Sequence, residues 1–317
     1  MNKCKKTIAA LAALTISTVS VIHLCNRLLE EKAVAGNLLR EEKMHSFSWR
    51  FGKVCYSKTG SGSPLLLLHE LSPCSNSREW ARLIPTLSKK YTVYAIDMPG
   101  CGCSARLNIT YTNFYYVQLI TEFAKSVCKE PVTLMATGLS AALAVTSCSY
   151  DPSLFKKLIL INPSNLWTQA QIPTRKSKAA KGLLELPCIG TLLYHLIMSR
   201  SHIENEFRQR LFSDPSKVTG EEIDLYYESS HRDRSQGRYL YASIIGNYVY
   251  FNISHALKSI DNDIVILGGS QQEMIEETIK EYKAINPAVE SVLIPHTRHL
   301  PHLEDPEAVL RQLKVYC

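Results

Sequence analysis

Residues 132–145, VTLMATGLSAALAV, read as an apolar strand, a tight turn containing glycine and a helix of small residues. A hydroxyl at the tip of such a turn is a candidate nucleophile. The chemistry also needs a histidine to take the hydroxyl proton, an acid to hold the histidine, and two backbone N–H groups for the developing oxyanion. Gly138 and Ser140 compete for the tip. Glycine cannot attack, but it adopts a strained turn at little cost. In one register Gly138 is the tip, flanked by Ala136 and Ser140. In the other Ser140 is the tip, flanked by Gly138 and Ala142, and the strand must run two residues longer or the loop must bulge. Small flanking residues are present in both, so spacing alone leaves the choice open.

The elements that would carry this turn alternate in type. SFSWRF and KVCYSKTG read as two antiparallel strands, with GSGSP as the turn that follows. PLLLLHE is a short continuous apolar run, as expected of a parallel strand buried on both faces. Helical spacing follows in SREWARLIPTLSKK, a strand in YTVYAIDMPG, and an amphipathic helix in NFYYVQLITEFAKSVC. After the turn at 138–140 come the strands KKLILINP, DIVILGG and SVLIP, with the helix EMIEETIKEYKAI between the last two and PEAVLRQLKVYC closing the chain. Alternation of this kind predicts an α/β fold with a doubly wound, mostly parallel sheet. The core is expected over 45–165 and 256–317. Residues 166–255 lack strand periodicity and are expected to form a helical lid over the strand ends.

Composition excludes several functions. The 317 residues carry a formal charge of +7, but no Lys/Arg run is interleaved with aromatics, so nucleic acid is not an expected partner. The ten cysteines form no CxxC pair and no zinc spacing, and most sit in apolar runs, as expected of free thiols. No metal site is expected. No cofactor is expected either, because GSGSP and PGCGCS lack the strand–G-x-G-x-x-G–helix setting of a nucleotide site.

The N-terminus divides into a basic flank at 1–6, an uncharged apolar run at 7–25 and a charged helical stalk at 26–44. A run of about 19 residues can just span a bilayer core. AVAG at 33–36 lies behind charged residues, an unusual place for signal cleavage, so an uncleaved single-pass anchor is expected. Lys3, Lys5 and Lys6 before the span favour a domain on the extracytoplasmic side. In the lid, RKSKAAK carries four cations and no acid. It reads either as a contact with an anionic membrane surface or as a solvated turn before a buried helix, and the second is preferred.

From about residue 47 onward the order of elements resembles the α/β-hydrolase superfamily. LLLLHELSPCSNSREW is similar to its strand-three motif, AIDMPGCGCS to its D-x-P-G-x-G-x-S turn, and HLPHLEDPEAV to the segment carrying its catalytic histidine. The resemblance implies hydrolysis of esters, thioesters, amides, epoxides or C–halogen bonds, although some members are lyases and others only bind ligands. It puts His299 at the histidine position and leaves His296 and His302 as loop residues. An ungapped match lays ATGLS on G-x-S-x-G, which favours Gly138 at the tip and removes the serine. The acid position falls on Gln271, with Glu273 a substitute only after a loop shift. The strand-three motif has Glu70 after His69 where the family has glycine. The oxyanion donors implied are the N–H groups of Leu71 and Leu139, and Glu70 is expected to point away from them rather than pair with His299.

Three departures in one direction imply a catalytically impaired member, and with the apolar run at 7–25 the expectation is a membrane-anchored protein that binds a small or lipid-like ligand or a protein partner. One alternative is an active esterase- or lipase-like enzyme using Ser140 and His299. Another is non-hydrolytic acid/base chemistry using His299 and Glu70.

Overall fold

The computed structural model describes the backbone of residues 2–39 and 44–316, and the side chains of residues 17–39 and 44–316. Among these residues the strands are β1 (His45–Trp49), β2 (Gly52–Thr59), β3 (Ser63–Leu68), β4 (Tyr91–Ile96), β5 (Val132–Thr137), β6 (Phe155–Ile161), β7 (Asp263–Gly269) and β8 (Glu290–Ile294). They form one sheet in the order β1-β2-β4-β3-β5-β6-β7-β8. The β1/β2 and β2/β4 pairs are antiparallel and all the others parallel.

The apolar run of β3 shows why the sheet is covered on both sides. Leu66 and Leu68 enter one core cluster, with Phe123, Leu143 and Ile266. Leu65 and Leu67 enter the other, with Trp80, Leu83 and Val309. Successive side chains of a strand point to opposite faces, so four consecutive buried leucines need helices above and below. Asn113–Phe123 and Leu139–Tyr150 supply one layer, and Pro306–Tyr316 lies in the other. The carboxyl ends of β3, β5, β7 and β8 then share one edge of the sheet, the usual place for a ligand site in this architecture.

The lid is helical, with Arg175–Glu185, Ile189–Ile197, Arg200–Glu206, Gly220–Ser235 and Gly237–Ile245 among its elements. A third cluster of Tyr194, Met198, Phe207 and Phe212 joins it to Leu300 and Leu303 of the core. Arg106 pins it further, its buried guanidinium donating to the carbonyls of Gly100, Gly102 and Ser229 at 2.7, 3.0 and 2.7 Å. RKSKAAK is not a turn. It forms the first turns of Arg175–Glu185, because Thr174 and Ser177 make a reciprocal capping box there.

The N-terminal helix runs from Asn2 to Val34. No helix among the described residues is long and apolar enough to cross a membrane. Part of the expected span, residues 7–16, lies outside the residues whose side chains are described. The segment expected as a stalk lies against the lid. Asn26 Nδ2 donates to Cys188 O at 3.0 Å, and the Glu228 carboxylate accepts from the N–H groups of Leu38 and Leu39 at 2.6 and 3.3 Å. The cysteines with described side chains, from Cys25 to Cys188, are free thiols.

Candidate active site

β5 ends at Thr137 and the next helix begins at Leu139, so the turn between them is Gly138 itself. Its backbone has φ +50° and ψ −117°, a region that side chains rarely enter. Its N–H donates to Ile161 O at 2.9 Å, tying the turn to β6. Ser140 is fully buried in the first helical turn, and its hydroxyl donates to His69 O at 2.6 Å. That bond commits the hydroxyl proton to the strand-three loop, and no hydrogen bond joins Ser140 to His299.

Glu70 turns inward, against expectation. Oε1 accepts from Leu71 N at 3.0 Å and Leu139 N at 2.9 Å, while Oε2 lies 3.0 Å from His299 Nε2. The donors expected for an oxyanion therefore converge, but on a carboxylate oxygen. Glycine at the tip makes this possible. A Cβ added at position 138 would lie 1.5 Å from Glu70 Oε2, roughly one carbon–oxygen bond length. Oε2 therefore occupies the space of a seryl Oγ, and two N–H groups and an imidazole draw the carboxylate into it.

The groups behind Glu70 are buried. His69 Nε2 accepts from Met98 N at 3.0 Å and its Nδ1 meets Glu70 O at 2.7 Å, which places the His69 proton on Nδ1. Glu79 is 1% exposed, and its carboxylate accepts from Glu70 N at 3.2 Å and from the Tyr226 hydroxyl at 2.5 Å. His302 Nε2 stands 3.7 Å away, an ion-pair distance beyond hydrogen-bond reach. Burial pushes the Glu79 carboxyl up, but the neighbouring His302 and the Tyr226 hydroxyl outweigh it and hold the group below its ordinary value. His302 is thus no loop residue. It lies fully buried in the short helix Pro301–Glu304, stacked on Trp80 at 4.6 Å. His296 is exposed in the turn after β8.

His299 is held by its backbone, its N–H donating to Leu211 O of the lid at 2.9 Å. Asn162 clamps the same loop. Its amide donates to the carbonyls of Arg298 and His299 at 2.7 and 2.8 Å and accepts from Gly269 N at 2.9 Å. Gln271 is exposed and turns its side chain to the Ser213 hydroxyl, 2.5 Å away. Glu273 is exposed at the rim of a small cavity of about 210 Å³ that also touches His299. Neither residue hydrogen-bonds the imidazole, so Glu70 is the carboxylate beside His299.

A larger cavity of about 420 Å³ lies between lid and core, with Glu70 in its wall beside Met198, Ile203, Phe207, Tyr241 and Leu300. Cys74 also borders it, but burial pushes that thiol up to about 12, so it is no thiolate nucleophile at neutral pH. No cluster of three or more metal-ligating side chains occurs among the described residues.

Sequence reasoning missed Glu79, Asn162 and the burial of His302. The available signal was pairwise. A glycine where the family has serine and a glutamate where it has glycine are opposite changes in volume, as expected when one side chain fills the space of another.

The sequence model of the Alpha/beta hydrolase family matches residues 65–312, and the chain belongs to that family. Proline iminopeptidase of Heyndrickxia coagulans is 23% identical over 281 residues, covering 82% of this chain and 93% of that protein. A 2-hydroxy-6-oxo-6-(2'-aminophenyl)hexa-2,4-dienoic acid hydrolase of Metapseudomonas resinovorans is 26% identical over 113 residues, a match spanning 35% of this chain and only 39% of that protein. Among solved structures, a serine hydrolase of carbazole degradation superposes with a TM-score of 0.71 at 18% identity, covering 86% of this chain and 97% of the other. A bacterial membrane phospholipase A gives 0.69 at 17% identity, covering 98% and 97%. At such identities the likeness shows the fold alone.

Proposed function

We propose that this chain is a membrane-associated family member that binds a largely apolar ligand between lid and core and does not carry out serine-dependent acyl transfer. One observation carries the reading: the Glu70 carboxylate sits between Leu71 N, Leu139 N and His299 Nε2, above a glycine. Acyl transfer needs a free hydroxyl at the tip and empty N–H donors for the substrate oxygen, and here a fixed anion stands in both places. The apolar walls of the cavity favour a ligand with a hydrocarbon portion.

Two features support membrane association. The apolar run at 7–25 follows three lysines. Exposed Leu183, Leu186 and Ile189 of the lid lie close in sequence to the exposed cations Arg175, Lys176 and Lys178, a composition suited to an anionic bilayer surface. Asn26 joins the N-terminal helix to this part of the lid.

The test is to treat the full chain with a fluorophosphonate probe and a panel of nitrophenyl esters, beside Ser140→Ala and His299→Ala. No labelling and no turnover are expected. Labelling that Ser140→Ala abolishes would overturn the reading. Saturable binding of dansyl-undecanoic acid is expected, weakened by Phe207→Asp. Protease protection in membrane vesicles reads the expected extracytoplasmic side.

A further inference from the structure

We propose that the N-terminal helix and the lid helix Ile189–Ile197 present one surface immersed in an anionic bilayer leaflet, and that this surface opens the cavity between lid and core to a lipid drawn from that leaflet. The inference rests on the reading that the chain is membrane-associated and takes a largely apolar ligand. Its basis is an inversion of the usual helix pattern. Ile189–Ile197 buries Thr191, Tyr194 and His195, and exposes Ile189 and Leu196 at 48% and 64%. Leu192, Leu193 and Ile197 are only partly covered. Positions 189, 192, 193, 196 and 197 have the spacing of a single helix face, so an apolar stripe points outward while polar side chains point in.

The N-terminal helix repeats the inversion. Asn26 and Glu30 are buried, whereas Leu24 and Leu28 are more than half exposed. The buried polar groups are satisfied within the protein. Asn26 Nδ2 donates to Cys188 O at 3.0 Å, and His195 Nε2 lies 3.5 Å from Glu30 Oε1 and 2.8 Å from Ser235 Oγ. The Tyr194 hydroxyl donates to Ser230 O at 2.8 Å. A single exposed leucine needs no explanation. Two adjoining helices that bury polar residues against their neighbours and turn leucines outward have the arrangement of helices in lipid.

Charge and continuity choose a bilayer as the occupant over a second copy of the chain. The apolar run at 7–25 and the residues that touch the lid belong to one helix, Asn2–Val34, so a run seated in a membrane holds Ile189–Ile197 at its surface. The preceding helix exposes Arg175, Lys176 and Lys178, and its single acid, Glu185, is paired with Lys181 at 2.7 Å. That leaves a positive rim suited to anionic headgroups. Nine residues of helix span only about 14 Å, so Ile189–Ile197 lies in the interface rather than crossing it. Ile197, the last residue of the stripe, also lines the cavity, with Ile203 and Phe207 beyond it. The stripe therefore ends where an acyl chain can enter.

The full chain is reconstituted in phosphatidylcholine vesicles with and without phosphatidylglycerol, each containing a phosphatidylcholine that carries a diazirine on one acyl chain. Photolabelled residues are mapped by mass spectrometry. Label is expected within 7–25, on 189–197 and at Ile203 or Phe207. On 189–197 it should be about fivefold stronger with phosphatidylglycerol, the contribution of about one cation. Ile189→Glu combined with Leu196→Glu should remove the label from 189–197, Ile203 and Phe207, with label within 7–25 retained and the urea midpoint unchanged. Label confined to 7–25 overturns the immersed surface and leaves membrane association standing, whereas no label anywhere overturns both. Equal label on 189–197 in the two vesicles overturns the anionic leaflet. Label on 189–197 that never reaches Ile203 or Phe207 overturns the passage of lipid. Cross-links between 189–197 of two chains, in place of lipid label, assign the face to a second copy and overturn the proposal.

Discussion

Substituting Gly138 by alanine tests the central geometry through its coupling to Glu70. An alanine Cβ would stand 1.5 Å from Oε2, so the carboxylate must leave. Two costs add. The backbone at φ +50° and ψ −117° strains a non-glycine residue by about 1–3 kcal/mol. The displaced carboxylate also loses its contacts with Leu71 N, Leu139 N and His299. Bonds to charged groups contribute about 1.5–3 kcal/mol each when shielded. The Glu70 side chain is 18% exposed and its carboxylate regains water in the cavity, so about 2 kcal/mol for the set is the appropriate scale. In a Glu70→Ala background that second cost has already been incurred. Gly138→Ala should therefore cost about 2 kcal/mol less there than in wild type, the coupling expected of side chains sharing one space. Urea unfolding of wild type, both single variants and the double variant measures it. Additivity within about 0.5 kcal/mol would refute the placement of Glu70 in the seryl position.

Other consequences can be measured directly. Gly138→Ser combined with Glu70→Ala should label with fluorophosphonate faster than Gly138→Ser alone, because in the single variant the displaced Glu70 carboxylate stays in the cavity and opposes the negative charge that develops as the hydroxyl attacks; time-resolved labelling separates them. Burial lowers His231 to about 4 from an ordinary 6.5. The unfolded chain therefore binds the extra proton first, and stability present above pH 6.5 is lost as pH falls towards 4, by up to roughly 3 kcal/mol. His231 stacks on His195, which lies 3.5 Å from Glu30, so urea melts across that window should show the loss, and His231→Phe should flatten it. Glu79 has the depressed carboxylate, so its contribution is present above its ordinary 4.5 and is lost as pH falls through the lower folded value. Glu79→Gln should cost about 2 kcal/mol near neutrality, by loss of charge-assisted bonds, and should remove that acid-side slope in the same melts.

Much of the frame was legible in the sequence. Four consecutive leucines in β3 required helices on both faces, and alternating strand and helix patterns required a doubly wound sheet. The histidine segment, the D-x-P-G-x-G-x-S turn and the strand–turn–helix at 138 are local in sequence, so their residue types could be matched without knowing the packing. Asp97 illustrates the turn, its carboxylate accepting from Ser77 N and Cys103 N at 2.7 and 2.8 Å. A Cβ on Gly102 would strike that carboxylate, at 2.3 Å. The lid resisted such reading, because its helices are fixed by contacts such as Arg106 to Ser229 O, made 123 residues apart.

The 138–140 turn itself separates the two kinds of information. Sequence determined that it contains a glycine and a serine two residues apart, that Glu70 follows His69, and that a histidine stands at 299. Which residue occupied the tip depended on where β5 ended, and Ser140 was decided by a hydrogen bond to a carbonyl 71 residues away. Glu70 was expected to avoid the oxyanion donors, because a lone carboxylate there opposes a second negative charge. Tertiary structure reversed that expectation. The volume vacated at Gly138, two convergent N–H groups and His299 come from separate strand ends, and only their assembly creates a site that attracts the carboxylate.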